Sequence, residues 1–212
     1  MKKLLLFLLI PLALAISCST PSEKTSETAE LPILGERYVD DNQDTVYHSI
    51  ADFAFVNQLG DTIRKEDMAG KVYVADFFFT TCKSICPRLT KNLGELQRRF
   101  NTNPNILFVS HSVLPDEDSV AVLKRYAQRN NIPSNQWHLL TGNRDSIYRL
   151  ARREYFAGDS VGYFQAGNEF LHTENFILLD RHRRIRGVYN GTLPVEVDRL
   201  EEDIRTLLQE RN

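Results

Sequence analysis

The pattern of apolar and polar positions predicts one folded domain in which strands and helices alternate. A nearly continuous apolar run at residues 72–79 indicates a strand that is buried on both faces. Apolar residues at helical spacing follow at residues 85–100 and again at residues 118–129, and an apolar strand pattern lies between them at residues 105–110. The order strand, helix, strand, helix favours parallel strands at the centre of a sheet.

Shorter elements are predicted on both sides of this centre. Residues 48–56 and 62–63 read as two strands around a turn at Gly60 and Asp61, which together form an N-terminal β-hairpin. On the C-terminal side we expect a short strand, a helix capped by Asn143, two strands joined by a charged turn and a closing helix, at residues 137–140, 145–156, 173–180, 185–189 and 194–209. The predicted fold class is therefore α/β, with a mixed central sheet that is flanked by helices.

The first 17 residues have the features of a secretory signal. Lys2 and Lys3 precede an apolar run that is too short to span a bilayer, and small residues follow it. Because Cys18 comes directly after them, the segment resembles a bacterial lipoprotein signal in which Cys18 is acylated; the alternative is an ordinary signal peptide with an incidental cysteine. We expect a signal peptide at residues 1–17, a lipidated Cys18 with a flexible tether at residues 18–45, and a domain at residues 46–212. Such a protein would be held at the bacterial cell membrane, facing the periplasm.

Composition and charge narrow the class of partner. The 212 residues are 42% hydrophobic, which is enough to form a core without a disulfide framework. The formal net charge is −2, and removal of Lys2 and Lys3 makes it more negative, which argues against nucleic acid as a partner. The basic run at residues 181–184 is local, and a solvated turn between two strands is its expected role.

Cys82 and Cys86 lie where the apolar strand ends and an amphipathic helix begins. Amide N–H groups and the helix dipole lower a cysteine pKa at such a position, which favours thiolates. The four-residue spacing predicts both side chains on one face of a helical turn, where one ion could contact both sulfurs. If Cys18 carries lipid, the two remaining cysteines lie in an oxidising compartment, and a reversible dithiol or a metal site is expected. The CxxxC spacing is not that of CxxC oxidoreductases, although a disulfide remains geometrically possible.

Five histidines supply further candidate ligands. His172 opens a predicted strand, and taken alone it is a strand-opening or core histidine. Structural roles are expected for His138 in a short strand, for His182 in a charged turn and for His48. His111 directly follows a predicted strand near the cysteine motif, where contact with a metal ligand or a substrate is the alternative to a structural role. Two thiolates and one imidazole suit Cu(I) and, with a fourth ligand, Zn(II).

Three segments of the chain also carry a resemblance to a known family. They are residues 74–87 with the CxxxCP motif, residues 108–119, and residues 170–180, in which His172 precedes a strand. Together they resemble the Sco/SenC copper chaperones, thioredoxin-fold proteins that assist copper delivery to cytochrome c oxidase. The resemblance implies a thioredoxin-like fold and one copper ion held by Cys82, Cys86 and His172. It also implies the copper-site subunit of the oxidase as a partner, and a metallochaperone rather than an enzyme. Because a disulfide between Cys82 and Cys86 would block copper binding, a periplasmic thiol reductase is a further expected partner.

The chain departs from the family pattern at two positions. Ser84 stands where family members commonly carry an acidic residue inside CxxxC, and Leu114 stands where they commonly carry Asp. The ligand residues are unchanged, but loss of a carboxylate near the thiols should ease thiolate formation and could alter partner contact.

Two other functions remain open at this point. The first is a thiol–disulfide reductase that keeps oxidase or other periplasmic cysteines reduced, with Cys82 and Cys86 as its redox pair. A pure reductase has no need of His172, and CxxxC lowers the expectation of efficient dithiol exchange. The second is a redox or copper sensor that acts only through binding.

Overall fold

The computed structural model describes residues 30–157 and 173–210. The strands in these ranges are β1 (Arg37–Val39), β2 (Thr45–Tyr47), β3 (Ala54–Val56), β4 (Thr62–Arg64), β5 (Val72–Phe78), β6 (Ile106–Ser112), β7 (Trp137–Leu140), β8 (Asn175–Leu179) and β9 (Ile185–Asn190). The helices are α1 (Cys86–Arg99), α2 (Val120–Arg129), α3 (Arg144–Arg149) and α4 (Pro194–Gln209). A short 3-10 turn, Lys65–Met68, precedes β5, and one π-helical turn, Leu150–Glu154, continues α3.

Five of the strands form one mixed sheet in the order β7-β6-β5-β8-β9. β5, β6 and β7 run parallel, whereas β8 pairs antiparallel with β5, and β9 antiparallel with β8. β5 is the central strand of the sheet, and all seven of its residues are buried, as the apolar run predicts. The predicted α/β fold with a mixed, helix-flanked sheet is confirmed.

Two hydrophobic clusters cover the two faces of the sheet. On one face, α1, α2 and α4 pack their apolar residues against alternate residues of β5 and β6. Leu89, Leu93 and Leu96 form the buried stripe of α1, as their helical spacing predicts. On the other face, the β3–β4 hairpin, Met68 and the α3 region enclose a second cluster that contains Phe77. Cys86 belongs to the first cluster, so the cysteine motif is built on the α1 face.

The side chain of Gln58 protects the β7 edge of the sheet. Its Nε2 donates to the carbonyl of Trp137 at 2.7 Å, and its Oε1 accepts from the amide of Leu139 at 2.9 Å. Backbone bonds between Val56 and Thr141 hold the β3–β4 hairpin beside the same edge. The buried side-chain amide of Gln58 thus makes the hydrogen bonds that a further strand would make, so these backbone groups of β7 are not left unpaired at the edge of the sheet.

Several element boundaries differ from the sequence prediction. Asn143 caps α3 as expected, because its Oδ1 accepts from the amide of Ser146, but the helix changes to π geometry after Arg149. Inside the segment predicted as tether, residues from Glu30 onward include β1, and the amide of Leu34 donates to the carbonyl of Ile185 at 2.8 Å. No helix in the described ranges is long and apolar enough to cross a membrane.

Candidate metal centre

Cys82 lies in the loop between β5 and α1, and Cys86 is the first residue of α1. The prediction that both lie on one helical turn is wrong, because the helix begins only at Cys86. Pro87 explains the difference. A proline has no amide hydrogen and fits only in the first turn, so a helix that began at Cys82 would be broken by it. Upstream, the amide of Cys82 donates to the carbonyl of Phe79 at 3.3 Å and closes a turn.

The loop nevertheless brings the two cysteines together. The amide of Cys86 donates to Sγ of Cys82 at 3.5 Å. The residue that precedes α1, Ile85, offers no side chain to cap the helix. The sulfur of Cys82 therefore takes an acceptor position at the helix N-terminus, where unpaired amides favour negative charge.

The pKa values of the two thiols are shifted in opposite directions. Partial burial acts to raise the pKa of Cys82, but hydrogen bonds from Cys86, Ser84 and Ile85 outweigh it and lower that pKa. Burial raises the pKa of Cys86 to about 12, and its hydrogen bond with Cys82 acts in the same direction. The expectation that the position favours thiolates is thus supported for Cys82 and contradicted for Cys86, because Cys86 is enclosed in the core.

A buried carboxyl group on the same face of the sheet was missed by the sequence analysis. Asp76 accepts a short hydrogen bond from the hydroxyl of Ser110, which in turn accepts from Nε1 of Trp137 at 2.8 Å. Burial raises the pKa of Asp76 to about 7, although the Ser110 bond opposes this. The signal in the sequence was a lone acidic residue inside an apolar strand.

A second carboxylate lies in the loop after β6. Asp118 is buried, and it accepts hydrogen bonds from the amide and hydroxyl of Thr80, two residues before Cys82. The sequence pattern predicts it only as the first residue of a helix, and its sequence separation from Thr80 hid the contact.

The described histidines do not join the cysteine pair. His111 lies inside β6, not after it, and is fully buried on the opposite face of the sheet between Phe77 and Tyr155. It faces that way because residues alternate between the two faces of a strand. The structural role is therefore the one observed, and the alternative of contact with the cysteine motif is excluded. His48 bonds the carbonyl of Glu154 at 2.8 Å.

The remaining two histidines also have the structural positions that the sequence predicts. His138 lies in β7, and His182 is exposed in the turn between β8 and β9. The arginines on either side of His182 form hydrogen bonds within the domain. Arg181 donates to carbonyl groups at the end of α4, and Arg183 donates to the carbonyl of Ile50.

The two other predicted site residues, His172 and Cys18, lie outside the described residues, so their roles stay predictions. His172 is followed directly by Thr173, and β8 begins at Asn175, next to β5 in the sheet. Within residues 30–157 and 173–210, no cluster of three His, Cys, Asp or Glu side chains is arranged to hold a metal ion. The pair of sulfur donors is the part of a metal site that the described chain supplies.

Comparison with known proteins decides the family. The SCO1/SenC family model matches residues 41–209. This chain belongs to the SCO1/SenC family. A curated relative, the SCO1 protein homolog of Bacillus subtilis, is 28% identical over 166 residues, which is 77% of this chain and 85% of the relative.

Solved structures of SCO1/SenC proteins share the fold. A family lipoprotein from Bacillus anthracis is 29% identical, with a TM-score of 0.67 over 76% of this chain and 96% of its own. BsSco, a member of the Sco family of cytochrome c oxidase assembly proteins in which a disulfide switch was identified, is 26% identical, with a TM-score of 0.64 over 77% and 95% of the two chains. Copper-bound ScoI from Bradyrhizobium japonicum, at 20% identity and a TM-score of 0.60 over 76% and 99%, shows the fold alone.

The donor set fits a soft metal ion. Cys82 is partly exposed with a lowered pKa, and Cys86 lies directly behind it. Two sulfurs attract Cu(I) more strongly than they attract hard ions such as Mg²⁺ or Ca²⁺. The same two sulfurs could form a disulfide, so the pair can also be redox-active.

Proposed function

We propose that this SCO1/SenC protein binds copper through Cys82, Cys86 and His172 and delivers it to the copper site of cytochrome c oxidase. The observation that carries the proposal is the contact between the Cys86 amide and the Cys82 sulfur at the start of α1. It brings two soft donors together beside the positive end of a helix. The oxidase assembly role of BsSco supports the choice of acceptor, and the pair of soft sulfur donors supports the choice of copper as cargo.

The difference in burial between the two thiols suits capture and release. Cys82 is reachable from solvent and carries the lowered pKa, so it offers the first sulfur to an incoming ion. Cys86 must lose its proton as the ion binds, because a metal ligand must be a thiolate. A site with few ligands and an open side allows an acceptor with similar ligands to withdraw the copper. Because a Cys82–Cys86 disulfide would block binding, a periplasmic thiol reductase is the partner that keeps the pair reduced.

The test is a titration of the reduced full-length protein with Cu(I) under anaerobic conditions. We expect one ion per chain, loss of that ion in Cys82→Ser and Cys86→Ser, and weaker binding in His172→Ala. The loss for His172→Ala should be larger with Cu(II), because imidazole contributes more to the harder ion. His182→Ala is the matched control, since His182 is exposed in the turn between β8 and β9. Unchanged stoichiometry in both cysteine variants would refute the ligand assignment.

We further propose that the protein is anchored by lipid on Cys18 and faces the periplasm. The signal-like sequence supports this, and so does the lipoprotein nature of the Bacillus anthracis relative. Leu34 pairs with Ile185 near the beginning of β5, whereas Cys82 follows the end of β5. The tether would therefore join the domain at the end of the sheet opposite to the thiols, which leaves the thiols free for a partner. Incorporation of a labelled fatty acid into the wild type but not into Cys18→Ser would support the anchor, and equal labelling would refute it.

The unequal acidity of the two cysteines favours thiol–disulfide reduction as a second candidate function. An accessible thiol with a lowered pKa attacks a disulfide, and a buried thiol then resolves the mixed disulfide. Metal-free Cys86→Ser should trap a mixed disulfide with a substrate through Cys82, and Cys82→Ser should not. Reduction of a protein disulfide by the metal-free wild type, with dithiothreitol as electron donor, would favour the reductase. A lack of turnover beside stoichiometric copper binding would favour the chaperone.

A further inference from the structure

The two loops that follow the parallel strands β5 and β6 are joined by one buried side chain. Asp118, in the loop after β6, accepts hydrogen bonds from the amide of Thr80 at 3.1 Å and from the hydroxyl of Thr80 at 2.5 Å. It also accepts from the hydroxyl of Ser112, at the end of β6, at 2.6 Å. A single carboxylate therefore fixes the loop before Cys82 to the neighbouring strand.

These bonds are made in the interior of the protein. Asp118 and Ser112 are buried, with 1% and 0% of their surface exposed. No basic side chain of residues 30–157 or 173–210 forms an ion pair with Asp118. A buried carboxylate depends on its hydrogen-bond donors, so the two bonds from Thr80 constrain where Thr80 can lie, and the bond from Ser112 holds the carboxylate in place.

The position of Thr80 constrains the position of Cys82, because both lie in one tight turn. Cys82 is two residues further along, and its amide is held by the carbonyl of Phe79, on the other side of Thr80. On the β6 side, the amide of Asp118 donates to the carbonyl of Leu114 at 2.8 Å, which fixes the carboxylate's own loop. The path from β6 to the sulfur of Cys82 thus runs through short, ordered contacts.

We propose that Asp118 is a positioning residue for the cysteine pair. It holds Thr80, and through Thr80 it keeps the sulfur of Cys82 over the amide of Cys86 in the geometry that captures copper. The inference rests on the proposed copper-binding function, but it assigns the role to a residue that does not touch the metal.

The experiment compares Asp118→Asn with Asp180→Asn in the reduced full-length protein. Asp180 is an equally suitable buried carboxylate that accepts several hydrogen bonds, but it lies in the β8–β9 turn at the other end of the sheet. Asn keeps the size of Asp but replaces one of the two acceptor oxygens by a donor and removes the charge, so the set of bonds from Thr80 and Ser112 cannot be kept as it is. Cu(I) affinity is measured by competition with a chromophoric chelator, and amide hydrogen exchange of metal-free protein is measured by NMR.

We expect Asp118→Asn to weaken Cu(I) binding by about tenfold or more, as loss of a residue that orients a metal ligand commonly does. Exchange of the Cys86 amide should become about tenfold faster as the loop loosens. Asp180→Asn should lower the melting temperature but leave both quantities within about twofold of the wild type. Equal behaviour of the two variants in affinity and exchange would overturn the proposal.

If Asp118→Asn does not fold, substitutions of Thr80 test the positioning role of Asp118 instead. Thr80→Val removes only the hydroxyl donor and should weaken Cu(I) binding by about threefold, whereas Thr80→Ser, which keeps the donor, should bind as the wild type does. Identical affinities for Thr80→Val and Thr80→Ser would overturn the proposal. Cys82→Ser is the benchmark for the proposed function itself: if that variant binds Cu(I) as tightly as the wild type, the copper site is wrong whatever Asp118 does.

Discussion

The two ends of the central sheet differ in how completely their buried polar and charged groups are paired. At the end opposite to the thiols, Arg186 is almost fully buried and donates to both Asp180 and Glu210. The same guanidinium holds the carbonyls of Leu31 and Pro32, so it joins the N-terminal segment, the β8–β9 turn and the end of α4. Every charge in this cluster has an opposite charge beside it.

In the half of the sheet nearer the thiols, the buried groups of the described residues lack such compensation. Asp76 is buried with a single hydroxyl donor, and neither ring nitrogen of the buried His111 has a hydrogen-bond partner among the described residues. Buried titratable groups without partners lower stability. The comparison indicates that the end holding the N-terminal segment is built for stability, and that the thiol end gives up stability, as functional regions commonly do. Removal of Arg186 should therefore lower the free energy of unfolding, whereas removal of the titratable group of Asp76 or His111 should raise it.

The largest effect is expected from Arg186→Met. The variant leaves Asp180 with less compensation and Glu210 without its guanidinium partner, and breaking a buried ion pair in this way typically costs about 3–5 kcal/mol. The free energy of unfolding in urea at pH 7 measures the loss. Arg199→Met, which breaks an exposed pair with Glu196, is the control and should leave the free energy of unfolding close to that of the wild type. Equal losses in the two variants would remove the distinction between the buried cluster and an ordinary surface pair.

The next largest effect is a pH-dependent gain in the free energy of unfolding from Asp76→Asn. The pKa of Asp76 is raised by burial from 3.8 to about 7, so the folded state binds this proton more tightly than the unfolded state does. The stability of the wild type should therefore fall as the pH rises from about 4 toward 7, while the Asn variant has no such proton to lose. Relative to the wild type, Asp76→Asn should gain about 3 kcal/mol between pH 4.5 and pH 7.

Urea unfolding of both proteins across that pH range checks the Asp76 prediction. The difference between them isolates Asp76, because every other titrating group is common to both chains. The variant also keeps an oxygen that can accept from the hydroxyl of Ser110. A difference in stability that stays constant with pH would mean that Asp76 is not a buried, uncompensated acid.

The sequence predicts the sheet better than it predicts the site. Residues 72–79 are apolar enough to identify a buried central strand, and the spacing of leucines identifies α1 within a residue or two. The same apolar run hides Asp76, because its environment depends on Ser110 and Trp137, which reach it only through the pairing of three strands. The local sequence pattern thus predicts the helices and strands, whereas the environment of a buried side chain depends on which strands pair in the sheet.

The cysteine motif shows the same limit in a smaller region. Its position at a strand end and a helix start is readable, but the unequal pKa values of the two thiols depend on which of them the core encloses. Pro87 could have shown that Cys82 precedes the helix, since the helix cannot extend back past its first turn. The contact of Asp118 with Thr80 joins residues 38 positions apart and follows only from the adjacency of two parallel strands.

The smallest of the three effects is expected from His111→Phe. Aromatic rings surround His111, with the ring of Phe77 stacked at 5.3 Å and that of Tyr155 at 5.5 Å between centroids. Phe should fit this cage and remove two unpaired nitrogens, with a gain of about 1 kcal/mol at pH 7.5. Burial lowers the pKa of His111 from 6.5 to about 3, so the unfolded state binds the proton more tightly and the wild type loses stability as the pH falls below 6.5. The advantage of Phe should therefore grow by about 1 kcal/mol at pH 5.5. His182→Phe, at an exposed position, should change stability by less than about 0.5 kcal/mol. A destabilised His111→Phe protein would show that this histidine is held by contacts worth more than its burial costs, and the thiol end would then no longer contrast with the Arg186 cluster.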